Sequence, residues 1–431
     1  NTSMALLTPT SALKLILAEA STEQKSRYVT GLLSGEYNAT IVLSESQAGS
    51  DLRLIRAMAR PTEDGNWLIE GEKVFCSNAD HDMSRNILHC VIARTEGAPD
   101  GVKGLSLFLC PAVLPDGSRN DISISRVEQK MGLHASPTCQ MNFDGAVAEM
   151  VGAEGEGLHR MFTMMNAMRV DVAVQGVGLC QIALQRSMAY AADRKQGRGI
   201  SIDHASPEPL TINKHGDIRR MLLTMDALTK GCRAMVYRTA IELELDQQSK
   251  LGEFLVPVCK VFASDAANEV ADMAIQIHGG YGYIGAYQIE QIARDARVSR
   301  IYEGTNGLHA TNLARSLSRS RSQAVTAAFE QDIKSTISNA MADTKIALTD
   351  TLDIWCQSRD KIAQMADPGM VAYDFMRMTG FLAFASVWGR LEKSAQYAPN
   401  PENICQLSVF VWDYMLPETG FLFERIKRCS P

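Results

Sequence analysis

The feature that most constrains this chain is a change of hydrophobic period along it: helical at first, then short and strand-like, then helical again to the end. Leu13, Ile16, Leu17, Ala20, Tyr28, Leu32 and Leu33 recur at helical spacing over residues 11–33, and the pattern stops near Gly31 and Gly35. From 39 to 151 the texture becomes short runs of branched and aromatic residues, parted by turn clusters such as Glu63-Asp64-Gly65-Asn66 and Pro115-Asp116-Gly117-Ser118. Strands are expected over 39–44, 67–75, 87–94, 105–110 and 140–143, a spacing that suits a β-barrel or sandwich. After Gly157, amphipathic segments over 157–196, 216–248, 254–280 and 286–317 suit an antiparallel four-helix bundle, with a loop carrying Gly197, Gly199, Pro207 and Pro209 between the first two. Beyond about Arg321 a further helical block runs to the end, interrupted at Asp367-Pro368-Gly369, Ala398-Pro399-Asn400-Pro401 and Pro417. The fold class is therefore α+β and multidomain. The expected divisions are 1–38, 39–151, 152–320 and 321–431.

Composition narrows the function classes. A chain of 431 residues exceeds one ordinary core, and 46% hydrophobic with 21% charged residues is ordinary for a globular protein. The net charge of -6 comes without a basic stripe interleaved with aromatics, so nucleic acid is not an expected partner. The ten cysteines are scattered without a CxxC pair and read as reduced core residues of a cytoplasm-like compartment, the bacterial cytoplasm ahead of the mitochondrial matrix. No metal site is expected. No apolar stretch reaches the ~20 residues of a membrane-spanning helix, and no signal peptide is visible. The chain opens on Asn1 beside a helical pattern, so residues 1–38 are expected to be the tail of a larger N-terminal helical unit.

Four motifs carry chemistry. Leu43-Ser44-Glu45-Ser46-Gln47-Ala48-Gly49-Ser50-Asp51 ends a strand in a turn whose backbone amides and Ser50 hydroxyl suit an anionic phosphate; a plain inter-strand turn carries the same residues. In Gly71-Glu72-Lys73-Val74-Phe75-Cys76-Ser77-Asn78 an aromatic precedes a hydroxyl by two residues, which on a regular strand puts both on one side. That pairing suits one face of a flat redox ring and a hydrogen bond to its reactive nitrogen. A core Phe followed by a turn Ser is the plainer alternative. Gln276-Ile277-His278-Gly279-Gly280-Tyr281-Gly282-Tyr283 closes a helix with glycines that admit a close backbone or cofactor. Arg300-Ile301-Tyr302-Glu303-Gly304-Thr305-Asn306-Gly307 places one carboxylate in a glycine-flanked break between helical stretches, the setting of a general base or of a helix-capping acid.

The order of these motifs, with Tyr190-Ala191-Ala192-Asp193-Arg194-Lys195 closing the first bundle segment, resembles the acyl-CoA dehydrogenase family over residues 1 to about 317. The stretches Glu128-Gln129-Lys130-Met131-Gly132-Leu133-His134-Ala135-Ser136-Pro137-Thr138-Cys139 and Ser77-Asn78-Ala79-Asp80-His81-Asp82 resemble the branch containing the methylmercaptopropionyl-CoA dehydrogenases, whose members carry an additional C-terminal helical block.

The resemblance implies FAD held between the β-unit and the bundle. Leu43 and Ser44 match the flavin ring edge, Gly49 and Ser50 the pyrophosphate turn, Phe75 the ring face and Ser77 the N5 region. From a neighbouring subunit, Arg194, Gln276 and Gly280 match residues at the adenine half, as does Thr305, which implies at least a homodimer. Glu303 matches the base that takes the α-proton, with a carboxyl raised towards neutrality by burial. The neighbouring amide at Gly304 would polarise the thioester carbonyl, while Asn166 and Arg169 match residues that contact CoA. Two positions depart from the family pattern: Phe75 stands where many members have tryptophan, and Asn166 where aspartate is common.

The activity implied is α,β-dehydrogenation of an acyl-CoA to the trans-2-enoyl-CoA, with an electron-transfer flavoprotein as electron acceptor. An acyl-CoA oxidase, in which oxygen reoxidises the flavin, shares these residues. So does a non-catalytic relative that keeps the fold for assembly.

Overall fold

A computed structural model describes residues 4–198, 208–246 and 248–429. Gly199 and Pro207 of the expected loop lie outside the described residues. Two compact units form, Asn1–Met168 and Arg169–Pro431.

The first unit opens with helices α1 (Met4–Glu19) and α2 (Thr22–Ser34). The sequence pattern reads them as one segment, but Ser21 starts a new helix. Its hydroxyl accepts from the Gln24 amide at 3.2 Å while Gln24 Oε1 accepts from the Ser21 amide at 3.0 Å, a reciprocal cap. Gly35, at φ +75°, ends α2.

Seven strands follow: β1 (Tyr37–Val42), β2 (Met58–Pro61), β3 (Trp67–Ser77), β4 (Asn86–Thr95), β5 (Leu105–Pro111), β6 (Ile122–Val127) and β7 (Thr138–Val151). β2 and β6 escape the sequence pattern, β2 because it is short and β6 because its alternation of Ile122, Ser123, Ile124 and Ser125 is brief and leaves no residue buried. The pairings β4–β2, β2–β3, β3–β7, β7–β5 and β5–β4 close on themselves, giving the barrel. β1 joins β4 in parallel and β6 joins β7 antiparallel. Alternation along β4 assigns its two faces: Val91 and Ala93 pack with Ala59, Phe108, Met141 and Phe143, while Leu88, Cys90 and Ile92 pack with Leu15, Ile16, Met161 and Met164. Both faces are covered, so the strand reads as a continuous apolar run.

Helix α3 (Gly157–Asp193) begins in the first unit and continues into the second. By length and average composition alone it is apolar enough to cross a membrane, although Arg169, Asp171 and Arg186 interrupt its apolar runs. Its Ala173, Val177, Cys180 and Ala183 are buried in the core of the second unit, a use that selects the same composition.

The second unit continues with α4 (Gly216–Leu245), α5 (Lys250–His278), α6 (Gly280–Tyr283), α7 (Ile289–Ala296) and α8 (Asn306–Ser316). The segment expected over 286–317 is thus not one helix: a 3-10 turn at Arg297–Arg300 and a loop through Glu303 divide it. The C-terminal helices are α9 (Gln323–Asn339), α10 (Ala342–Ala363), α11 (Ala372–Lys393), α12 (Pro401–Phe410) and α13 (Glu418–Arg428), with the expected proline-bearing breaks between them. They share one core with α4 and α5. Gly231 on α4 and Gly380 on α11 let helices meet closely, since a Cβ there would lie 2.1 Å from Phe384 and 2.5 Å from Phe262. All ten cysteines are free thiols, seven of them buried.

Candidate functional site

Glu303 sits between the 3-10 turn and α8 with φ +56°, a left-handed backbone that a side chain with a Cβ adopts only at a cost. Gly304 continues the excursion at φ +85°. The N-cap of α8 is Thr305, whose hydroxyl accepts from the Leu308 amide at 3.1 Å, so the capping role open to Glu303 in the sequence belongs to Thr305. Three side chains hold the loop by its carbonyls. His309 Nε2 donates to Glu303 O at 2.9 Å, Arg169 Nε reaches the same oxygen at 3.5 Å, and Lys260 Nζ donates to Gly304 O at 2.9 Å. Burial pushes the Glu303 carboxyl up to about 7, against the pull of Arg169 and Lys260 and with the help of Asp171. Burial also draws the Lys260 ammonium down to about 8.

Sequence reasoning missed the supports of this loop. Lys260 is fully buried on α5 and also donates to Asn306 Oδ1 at 2.8 Å; Asn306 Nδ2 donates to Ser264 Oγ at 2.9 Å and to Asp265 Oδ1 at 3.1 Å. The available signal was a lysine inside the apolar run Val256, Val258, Cys259, Val261 and Phe262, where an ammonium without a partner is untenable. Tyr302 donates to Gln175 Oε1 on α3.

Elsewhere in the second unit, Arg194, Gln276 and Gly280 line one cleft of about 490 Å³, together with Tyr190, His278 and Tyr281. Gly279 closes α5 at φ +59°, and a Cβ on Gly280 would meet nothing within 4 Å. The Arg194 guanidinium lies 5.7 Å from the centre of the Tyr281 ring, and Tyr190 stacks on His278 at 4.3 Å.

In the first unit, Leu43 and Ser44 are half-buried while Gly49 and Ser50 are exposed. Open space surrounds the Cβ position of Gly49. The turn is pinned from below by a pair that the motif reading did not single out. Glu45 accepts from Lys73 Nζ at 2.9 Å and from the amides of Arg56 at 2.7 Å and Ala57 at 3.0 Å, while Lys73 also donates to Leu43 O and Ile92 O at 3.0 and 2.7 Å. Burial pushes the Glu45 carboxyl up, but Lys73 and the two amides outweigh it and leave the group below the ordinary carboxylate range.

Phe75 is 69% exposed with φ +60°, and the β3–β7 register slips between Lys73 and Cys76. The regular alternation invoked to place Phe75 and Ser77 on one side therefore does not hold here. Nor is Phe75 a core residue. Asn78, at φ +58°, is a further strained residue of the same motif. Asn166 is exposed on α3 in the first unit, and Arg169, half-buried, opens the second.

Comparison with known proteins finds the family description "Acyl-CoA dehydrogenase, middle domain" over residues 40–146 and "Acyl-CoA dehydrogenase, C-terminal domain" over 155–318. The 3-methylmercaptopropionyl-CoA dehydrogenase of Ruegeria pomeroyi is 41% identical over 316 residues, 70% of this chain and 53% of that protein. An acyl-CoA dehydrogenase of Bacillus subtilis is 33% identical, covering 68% of this chain and 71% of its own length. The solved structure of Caenorhabditis elegans ACDH-11 in complex with C11-CoA shares the fold at a TM-score of 0.83 and 21% identity, covering 95% of this chain and 71% of that one. The chain spans about half the length of several of the curated relatives it matches.

Proposed function

This chain belongs to the acyl-CoA dehydrogenase family, and from that premise we propose that the protein is an FAD-dependent dehydrogenase that converts an acyl-CoA thioester to its trans-2-enoyl-CoA. The observation that carries this reading is Glu303: a carboxyl pushed up to about 7 by burial, on a strained loop gripped through its backbone carbonyls. A base with this affinity accepts a proton at pH 7 and can release it again.

The residues suit FAD on their own geometry. Phe75 presents an exposed aromatic face on a left-handed backbone, and the Arg194, Gln276 and Gly280 cleft joins a cation to glycines with open space above them. Leu43, Ser44, Gly49, Ser50 and Ser77 would hold the ring and pyrophosphate, with Thr305 at the adenine end. Bound FAD supplies the acceptor for the β-hydride. Glu303 takes the α-proton onto a carboxylate oxygen, Gly304 N–H stabilises the negative charge growing on the thioester oxygen, and Arg169 with Asn166 holds the CoA part. Arg194 and Gln276 serving a second subunit's cofactor makes a homodimer the smallest working assembly, and electrons leave to an electron-transfer flavoprotein.

The test is anaerobic titration of the full-length holoprotein with a panel of acyl-CoAs, following loss of flavin colour. Bleaching with enoyl product is expected. A protein that stays colourless after incubation with FAD, or a flavin that no acyl-CoA bleaches, overturns the proposal. Peroxide formed in step with enoyl product in air would make the protein an oxidase instead.

A further inference from the structure

The network under the glutamate loop reaches into the C-terminal helices. On α5, Lys260 is fully buried and spends its ammonium on two loop acceptors, Gly304 O at 2.9 Å and Asn306 Oδ1 at 2.8 Å. Asn306 is bound in turn to Asp265, one helical turn further along α5. Asp265 pairs with Arg300 Nε at 2.7 Å, on the turn that leads into Glu303, and accepts from Tyr373 Oη of α11 at 2.7 Å. Both ends of the loop are therefore tied to one helix by buried polar contacts.

We propose that Lys260 is the positioning residue of Glu303, fixing its loop through Gly304 O and adding to the positive charge that Arg169 brings to its carboxylate, and that Tyr373 of the C-terminal helices supports the same loop through Asp265. The proposal rests on Glu303 being the base. A buried ammonium beneath the loop does two things at once. It fixes the Gly304–Thr305 peptide by its carbonyl, directly after the two left-handed residues of the loop, and it favours the ionised form of Glu303, the form that accepts a proton. The other charged groups around Glu303 are Arg169 and Asp171 on α3, which act in opposite senses; His309 on α8 binds the Glu303 carbonyl and burial keeps it neutral. Lys260 is thus the cation that also fixes the loop backbone from α5.

The experiment measures the protonation midpoint of Glu303 by infrared difference spectroscopy of the full-length protein, taking Glu303→Gln as the blank, beside the pH profile of flavin reduction in the holoprotein. In Lys260→Met the midpoint and the acid limb should both move up by about one pH unit, the size that loss of a near charge commonly gives, while FAD content stays that of the wild type. Lys260→Arg should restore much of the profile, because it keeps the charge and donors. If Lys260→Met does not fold, Lys260→Gln, which keeps a donor without charge, should show the same upward shift. Tyr373→Phe should lower the reduction rate severalfold with an unchanged affinity for a non-oxidisable acyl-CoA analogue. Unmoved midpoints in Lys260→Met or Lys260→Gln, with Glu303→Gln still unable to reduce flavin, would overturn the role of Lys260 and leave the base assignment standing. Normal flavin reduction by Glu303→Gln would remove both.

Discussion

His309 donates from Nε2 to the backbone carbonyl of Glu303 at 2.9 Å, closing a short loop whose two inner residues both have left-handed backbones. Since a carbonyl can only accept, this nitrogen carries the proton. Burial draws the imidazole down to about 4, so it stays neutral across the working range and the clamp does not change with pH near 7. The strain at Glu303 is offset by fixed contacts to its backbone carbonyl.

Glu303→Gln should bind FAD and an acyl-CoA analogue as the wild type does, yet reduce flavin ~100-fold to 10,000-fold more slowly, the usual range for loss of a general base. Anaerobic stopped flow with an equilibrium binding assay separates the outcomes. Loss of FAD in this variant would make Glu303 structural.

The wild-type reduction rate should rise with pH through a midpoint of about 7, because only the ionised carboxyl accepts the α-proton and burial has raised its affinity to that value. Folding stability should carry the same signature. A carboxyl raised in the folded state binds protons that the unfolded chain has released between its ordinary range and 7, so ΔG of unfolding falls as pH rises across that window. Denaturant titrations at pH 5 and 8 check the sign.

Gly304→Ala should destabilise the protein by about 1–2 kcal/mol, the cost of a left-handed residue bearing a Cβ. Its new methyl would lie 2.9 Å from His309 Nε2, so the reduction rate should fall as well. Thermal unfolding alongside flavin reduction reads both effects. An alanine variant with wild-type values for each would show that the loop is not held as described.

Lys73→Met should cost about 3–5 kcal/mol, since it leaves Glu45 buried and unpaired. Lys73→Met with Glu45→Leu should recover part of that loss while loosening the Ser44 to Ser50 turn. The Glu45 pKa is depressed, so its contribution is present above the ordinary carboxylate range and lost as the pH falls through the folded value. Chemical denaturation of both variants, with FAD binding as the second measurement, distinguishes fold from turn.

Arg194→Ala should weaken FAD retention by about 10-fold to 100-fold, the scale of one charge-assisted hydrogen bond of ~1.5–3 kcal/mol, and shift the protein towards monomer. Cofactor release on dilution and sedimentation would be measured together. A native monomer that binds FAD tightly contradicts the shared site.

The linear chain determined what depends on neighbours close in sequence. The period change announced helices, barrel strands and helices again; Gly279 marked the end of α5; and one acid between Tyr302 and Gly304 marked the loop. What only the tertiary structure decided depends on residues distant in sequence. The split at Ser21 is a local cap that the hydrophobic period alone passed over, whereas the bulge that turns Phe75 outward needed the β7 register. Lys260 lies 44 positions from Gly304, and Tyr373 lies 108 from Asp265. In a linear pattern each is a lone polar residue, because a hydrogen bond carries no mark in sequence until the fold brings donor and acceptor within about 3 Å.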